Sequence, residues 1–173
     1  MSRVGWTARA GVITTALLVA AVSAGGIEPQ GPARAQVAVI VNAQNAAPDP
    51  SLDDLRAIFS LDRQFWPDGR RIVLILPRSS SVPKQVLLDR VYNMSDADLR
   101  KFWVGKLFRG AIPSIPMTLT NAPAATSAVL ASDGAISAVL ATEVPPGVRV
   151  LKVDGKAPDD PEYPLAATEG SGG

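Results

Sequence analysis

The sequence contains no cysteine and no histidine, and these two absences exclude much of the chemistry that proteins perform. Without a thiol or an imidazole, the chain cannot build a Ser-His-Asp triad, a cysteine nucleophile, or a zinc, haem or iron–sulfur site of the usual kinds. We therefore expect no cofactor and no metal ion.

Aromatic residues are also scarce, at 5%, and charged residues make up only 19% of the chain. By contrast, 15 prolines and 14 glycines indicate a domain with many turns rather than a coiled coil. The 173 residues, of which 47% are hydrophobic, are enough for one domain with a real core.

The first 35 residues have the order of a cleavable secretory signal peptide. Two arginines stand without an acid, an uncharged apolar run follows from Gly11 to Ala24, and a polar stretch ends at Ala33-Arg34-Ala35. We expect cleavage after Ala35, or after Ala24 as a second choice, and a periplasmic location. An uncleaved membrane anchor is the alternative, since the run from Ala10 to Ile27 carries no charge.

Basic residues are concentrated in the middle of the chain. The segment from Arg56 to Arg109 holds 11 basic and five acidic residues, while the segments on either side of it are net acidic. The exposed faces of two helices explain part of this charge, but they explain Arg70, Arg71 and Arg78 less well, because these flank an apolar strand. We expect an anionic partner. Nucleic acid is not expected, because the basic residues are not interleaved with aromatic ones.

Apolar patterns along the chain predict strands that alternate with helices. Continuous apolar runs predict strands at 36–41, 71–77, 134–140 and 148–153. The run at 71–77 is expected to be a central strand that is covered on both faces. Helices are predicted to follow the capping residues Ser51, Ser81 and Ser95 and to span 122–131. This alternation predicts an α/β domain with a mixed, largely parallel sheet.

The predicted core and the predicted tail follow from the same patterns. The helix after Ser95 is expected to bury one side that carries Leu99, Phe102, Trp103 and Leu107. A polar, Pro-rich composition that ends in Gly-Ser-Gly-Gly predicts a flexible C-terminal tail over 159–173. The apolar positions that we expect in the core are Val39, Ile40, Leu55, Ile58, Phe59, Val73, Ile75, Leu87, Val91, Leu99, Trp103 and Ile136.

The turn Arg78-Ser79-Ser80-Ser81 is the strongest candidate for a binding site. A strand end, a guanidinium, three hydroxyls and a helix N-terminus meet within four residues. Free backbone N–H groups at a helix start attract anions, and arginine can hold a tetrahedral oxyanion through two parallel hydrogen bonds. The turn also follows a strand, and the carboxyl ends of strands are where open α/β sheets bind ligands. A serine cap with two spare polar residues is the structural alternative.

Several motifs follow one another in a fixed order between Val37 and Pro158. They are Val39-Ile40-Val41-Asn42, Leu52-x-x-Leu55-x-x-Ile58-Phe59, Trp66-Pro67-Asp68-Gly69, the Arg78 turn, Phe102-Trp103, Asn121, Asp133-Gly134-Ala135-Ile136 and the segment 150–158. This order resembles the phosphate-binding proteins of bacterial ABC importers and their short relatives. The resemblance implies a single-domain, periplasmic-binding-protein-like lobe of type 2 over residues 36–158.

In that family an arginine and a following Ser-Gly-Thr turn at a helix N-terminus hold the phosphate. The resemblance therefore implies an oxyanion site at Arg78, Ser79, Ser80 and Ser81, although the glycine and the threonine are absent and Val82 stands in their place. It also implies an exported, non-enzymatic solute-binding protein for phosphate or a similar oxyanion. Its partner would be a membrane importer or another envelope protein.

Two other functions compete with this interpretation. A periplasmic protein-interaction or sensor-input domain could have kept the fold and lost the ligand. In addition, Ser81-Val82-Pro83-Lys84 has the spacing of a serine nucleophile that a lysine activates. Because Pro83 lies inside that motif and no Lys-Thr-Gly follows, we expect a protein that is not an enzyme.

Overall fold

The computed structural model describes residues 35–167, which form a five-stranded sheet with helices packed on its two faces. The strands are β1 (Val37–Asn42), β2 (Val73–Leu76), β3 (Met117–Thr118), β4 (Ala135–Leu140) and β5 (Val148–Leu151). The helices are α1 (Leu52–Phe59), α2 (Val82–Val86), α3 (Asp96–Phe108) and α4 (Ala122–Leu130). The predicted signal peptide, apart from Ala35, and the last six residues lie outside the described part.

The sheet is mixed, which confirms the predicted α/β class. Its strand order is β3-β2-β4-β1-β5. β2 runs parallel to β3 and to β4, whereas β1 runs antiparallel to β4 and to β5. Parallel pairing therefore accounts for two of the four strand pairs, a smaller share than the sequence predicts. An apolar run indicates that a strand is buried but carries no information about its direction, so the reversal of β1 leaves no signal in the sequence.

The side chains of β1 point alternately to the two faces of the sheet, and each set belongs to a separate apolar cluster. Val37, Val39 and Val41 belong to the larger cluster, which contains side chains of α1, of α3 and of the helical segment between them. Ala38 and Ile40 belong to the smaller cluster, which contains the buried side chains of α4. One helix therefore covers one face of the sheet, and the remaining helices cover the other.

The predicted helix starts are confirmed by their caps. Ser51 and Asp54 form a reciprocal capping box at α1, with the Asp54 amide donating to the Ser51 hydroxyl over 3.1 Å. Ser95 accepts from the Asp98 amide at α3 in the same way. Ser81 begins α2, which continues directly as a π-helical segment, Leu87–Tyr92. No helix between residues 35 and 167 has the length and apolarity needed to cross a membrane.

Two residues that the sequence predicts to be buried are partly exposed. Val73 is 43% exposed, because it lies at the start of β2 and outside both apolar clusters. The predicted central strand is thus covered on both faces only from Leu74 onwards. Leu107 is 38% exposed on α3, and Lys106 is buried beside it instead. The Lys106 ammonium donates to the Ser60 carbonyl and to the Asp62 carboxylate, each over 2.6 Å, which allows a charged side chain to occupy a buried position.

The sequence predicts a flexible tail that begins at residue 159, whereas in the structure part of this segment, up to Ala167, packs against the domain. Tyr163 and Leu165 are buried in the larger apolar cluster. The backbone around them is paired with the start of β1, since the Val37 amide donates to the Leu165 carbonyl over 3.0 Å and the Ala167 amide donates to Ala35 over 2.8 Å. Isolated apolar residues among prolines and acids produce no periodic pattern, which is why the sequence does not reveal this packing.

Gly134 lies where two backbone segments approach each other closely. A Cβ atom at this position would overlap the carbonyl oxygen of Arg71. The Gly134 carbonyl also accepts two hydrogen bonds, from the Trp66 indole N–H and from the Val73 amide, both over 3.0 Å. The glycine therefore lets the start of β4 join β2 and the Trp66 turn, and this explains two of the motifs in the sequence.

Replacement of Gly134 by alanine should destabilise the domain by about 1 to 3 kcal/mol, because the clash is with backbone that cannot rotate away. Gly105→Ala is the matched control. Gly105 lies inside α3 and faces only the end of the flexible Arg109 side chain, so that variant should gain up to about 1 kcal/mol of helix stability. Denaturant unfolding of both variants measures the difference, and equal effects would contradict the assignment.

The burial of α3 gives a second prediction. Leu99 is 1% exposed, whereas Leu107 on the same helix is 38% exposed. Leu99→Ala should cost about 2 to 5 kcal/mol of unfolding free energy, because it leaves a cavity in the larger cluster. Leu107→Ala should cost less than about 1 kcal/mol. A similar loss in both variants, measured by urea unfolding, would show that the helix buries a different side.

Candidate anion-binding site

A cleft of about 360 Å³ lies at the edge where β2, β3 and β4 end. These strands are parallel, so the residues that follow them come together at one edge of the sheet. Pro77 and Arg78 follow β2, Leu119 and Thr120 follow β3, and Glu143 lies shortly after β4. The cleft thus occupies the position that the sequence predicts for a ligand.

Arg78 contributes the positive charge to this cleft. Its side chain is exposed and forms no ion pair within residues 35–167. The other two arginines that flank β2 have partners within the protein. Arg70 pairs with Asp68 over 2.6 Å, and the Arg71 guanidinium lies 5.8 Å from the centre of the Phe65 ring. Of these three arginines, Arg78 is the one whose guanidinium remains available to a ligand.

Ser81 acts as the cap of α2. Its hydroxyl donates to the Arg78 carbonyl over 2.7 Å and accepts from the Lys84 amide over 3.4 Å. The Ser81 amide donates to the same Arg78 carbonyl over 3.0 Å. Since the hydroxyl hydrogen is already engaged, the hydroxyl orders the turn in this arrangement and does not point a donor into the cleft.

The structure divides the four residues of the turn between two sides. Arg78 and Ser81 line the cleft at the strand ends. Ser79 lines a different pocket, which lies against α3, and Ser80 is exposed and lines neither of the two. The oxyanion site at Arg78, Ser79, Ser80 and Ser81 stays a prediction, and the geometry brings only the first and last of these residues to one cleft.

A second helix start, that of α4, faces the same cleft. Asn121 caps α4 by accepting from the Ala124 amide over 2.8 Å, and Asn121, Ala122 and Pro123 all line the cleft. The pattern of a cap, one residue and then proline also occurs at Ser81-Val82-Pro83. This repeated pattern is the signal in the sequence that could have indicated that both helix starts belong to the same site.

Proline at both helix starts limits the amides that can meet an anion. In each helix the second residue has no N–H, and the third amide is bonded to the cap. The amides of Val82 and Ala122 are therefore the ones left without a cap or a proline in the two first turns. Val82 and Ala122 line the cleft together with Arg78.

Glu143 adds a negative charge to the lining. It lies in the short 3₁₀ turn Ala141–Glu143 after β4 and is exposed. With Arg78 and Glu143 on the same cleft, the formal charge of the lining is balanced. An anion would therefore meet an arginine and a carboxylate, and a ligand that can donate a hydrogen bond to the carboxylate is favoured over one that cannot.

The asparagines near β1 have structural partners instead. Asn42 donates to the Val129 and Leu130 carbonyls at the end of α4, over 3.1 and 3.0 Å. Asn45 donates to the Asp133 carbonyl over 3.0 Å. These side chains attach the loop after β1 to the α4 end of the domain, and their polar atoms are not directed to the cleft.

The Ser81 and Lys84 side chains diverge. Ser81 gives its hydroxyl hydrogen to the Arg78 carbonyl, and the Lys84 ammonium lies 3.8 Å from the Asp96 carboxylate in the pocket against α3. The serine and lysine spacing in the sequence is thus explained by a helix cap followed by a buried lysine. Among residues 35–167, no cluster of three or more acidic side chains is arranged to hold a metal ion.

The fold is similar to several solved structures. A protein described as a phosphate ABC transporter substrate-binding protein from Clostridium perfringens, with bound phosphate, matches 72% of this chain and 47% of its own at 17% identity and a TM-score of 0.58. An ABC-type phosphate transport receptor from Vibrio cholerae matches 77% and 54% at 11% identity and a TM-score of 0.60. PstS from Borrelia burgdorferi matches 78% and 55% at 12% identity and a TM-score of 0.59.

No protein-family model and no curated protein sequence matches the chain. The chain spans about half the length of the solved structures that it resembles. The predicted resemblance is confirmed at the level of the fold: residues 35–167 have the architecture found in phosphate ABC transporter substrate-binding proteins.

Proposed function

We propose that this protein is a non-enzymatic solute-binding protein that binds phosphate or a similar tetrahedral oxyanion in the cleft at the ends of β2, β3 and β4. The observation that carries the proposal is that Arg78 and the starts of two helices line one cleft at the carboxyl edge of parallel strands. Two of the structures with this fold are named for phosphate transport, and one of them contains bound phosphate, which supports the same ligand class.

The proposal includes the compartment in which the protein acts and the partner to which it delivers its ligand. A signal peptide over residues 1–35 would export the chain to the periplasm, where it would deliver its ligand to an ABC importer in the membrane. Arg78 lines the cleft and is exposed to solvent. Charge-assisted contacts of an exposed arginine are screened by salt, so binding should weaken as the ionic strength rises.

A protein-interaction or sensor-input domain is the second candidate function. It is favoured by the two prolines, which remove one amide from each helix start, and by Glu143, which offsets the charge of Arg78. A domain of this kind would keep the fold without saturable anion binding, and its cleft would serve as part of a protein surface.

The role of Arg78 can be measured by calorimetry with inorganic phosphate. Arg78→Ala removes a charge-assisted contact, which should weaken binding by about 1.5 to 3 kcal/mol, or roughly ten- to a hundred-fold. Arg78→Lys should recover only part of the loss, because an ammonium lacks the planar pair of donors.

Arg90→Ala is the matched control for charge. Arg90 is exposed in the π-helical segment and does not line the cleft, so its loss changes the net charge equally and should leave the phosphate affinity within about twofold. Phosphate binding that is absent from the parent protein, or indifferent to Arg78, would favour the interaction domain.

Glu143 should set the preference between phosphate and sulfate. Hydrogen phosphate can donate a hydrogen bond to the Glu143 carboxylate, whereas sulfate carries no proton at neutral pH and is repelled. The parent protein should prefer phosphate, and Glu143→Gln should shift the ratio of the two affinities toward sulfate by about tenfold. Parallel titrations with both anions test this, and an unchanged ratio would mean that Glu143 does not reach the ligand.

A further inference from the structure

A second pocket, of about 320 Å³, lies on the other side of the Arg78–Ser81 turn. It is enclosed by α3, by Lys84 of α2 and by the residues around β3. Most of its lining is apolar, and this part consists of Leu76, Leu99, Trp103, Val104, Ile115 and Pro116. Val104 and Ile115 remain 42% and 45% exposed, so the apolar wall opens to solvent at its rim.

Lys84 places a positive charge in this pocket, although most of the residue is buried. The residue is 4% exposed, and its ammonium lies 3.8 Å from the nearest carboxylate, that of Asp96. Within residues 35–167 the ammonium makes no hydrogen bond, although it carries three donors. Burial lowers the pKa of Lys84, and the opposite charge of Asp96 counteracts the shift only in part.

The other buried lysine shows what a satisfied ammonium looks like in this protein. Lys106 lies on the same helix as Asp96, and its ammonium donates over 2.6 Å to both the Ser60 carbonyl and the Asp62 carboxylate. It also lies 5.1 Å from the centre of the Phe102 ring. Within the described residues Lys84 has no comparable set of partners, so its ammonium has donors that a ligand in the pocket can use.

The charges of the pocket do not balance. Asp96 is shared between two cations, since Arg100 also pairs with its carboxylate. One carboxylate for Lys84 and Arg100 leaves an excess of one positive charge among these three residues. A ligand with a single negative charge would therefore neutralise the pocket.

Trp103 supplies an independent indication of a missing partner. Its indole N–H is buried and has no hydrogen-bond acceptor within the described residues. Buried indole N–H groups ordinarily find an acceptor. Trp103 and Lys84 line the same pocket, so a buried indole N–H without an acceptor and an ammonium without a hydrogen bond occur there together with an excess positive charge and an apolar wall.

We propose that this pocket binds a small organic monocarboxylate with an apolar body. The carboxylate would accept from Lys84 and Trp103, and the body would lie against the apolar wall beside Val104 and Ile115. A phosphate-type ligand fits less well, because it has no apolar part and carries more negative charge than the pocket offsets. This site is separate from the cleft at the strand ends, and the two can be tested independently.

Benzoate is the probe for the experiment, and the purified protein is labelled with ¹⁵N so that the indole N–H signals of its tryptophans can be followed by NMR. Benzoate should produce a saturable shift of the Trp103 signal, which is assigned through the Trp103→Phe variant. Benzamide, which has the same shape without the charge, should bind at least about tenfold more weakly.

Two variants should move the affinity for benzoate in opposite directions. Lys84→Met removes the ammonium while keeping an unbranched chain that packs well, and it should weaken binding at least about tenfold. Asp96→Asn removes the competing carboxylate and should strengthen binding. Lys101→Met is the control, because the Lys101 side chain is 80% exposed on α3 and does not line the pocket.

The proposal is overturned if benzoate gives no saturable shift of the Trp103 signal, if benzamide binds as well as benzoate, or if Lys84→Met and Lys101→Met bind benzoate equally. A pocket that only completes its own fold would show no difference between the two lysine variants. Phosphate added at the same concentration should leave the Trp103 signal unchanged, and displacement of benzoate by phosphate would also count against a separate site.

Discussion

Complete burial of β1 is the constraint on which the rest of the structure depends. All six of its residues are buried, and the strand pairs with β4 on one side and with β5 on the other. Its alternate side chains reach both apolar clusters, and Asn42 at its end holds the last turn of α4 through two hydrogen bonds. A strand with this many roles fixes the sheet, both helical layers and, through them, the edge at which β2, β3 and β4 end.

At that edge, the two pockets on either side of the Arg78–Ser81 turn differ in charge and polarity. Toward α4, Arg78, Glu143 and two helix starts line a cleft with balanced formal charge. Toward α3, Lys84 and Trp103 lie in a largely apolar pocket with one positive charge in excess. Water screens the exposed groups of the cleft more strongly than it screens groups in the largely apolar pocket, so the same charge interacts more strongly on the α3 side.

Local chemistry in the sequence predicts much of this arrangement. The caps at Ser51, Ser81 and Ser95 are satisfied by neighbours within three residues, so the helix starts are visible from the chain alone. What depends on distant neighbours is not visible. The exposure of Val73, the direction of β1 and the packing of Leu165 are decided by segments far away in the chain, and no local pattern encodes them.

The candidate site shows the same distinction between features that depend on local sequence and features that depend on distant segments. Arg78 and Ser81 are adjacent to a strand end and a helix start, and both line the cleft. Ser79 and Ser80 share the composition of the turn, but the direction of each side chain depends on the backbone, and neither lines that cleft. Glu143 and the start of α4 reach the cleft only because β3 and β4 are parallel to β2, a relation that sequence patterning does not reveal.

The pairing of the first and last described residues has a consequence for how this unit could be built into larger molecules. Gln36 bridges to Ala166, and Ala35 accepts from the Ala167 amide, so the chain enters and leaves the domain at neighbouring points. A domain whose ends meet can be inserted into a loop of another protein without stretching that loop. The same geometry permits circular permutation, in which a short linker joins the ends and the chain is opened at a surface turn.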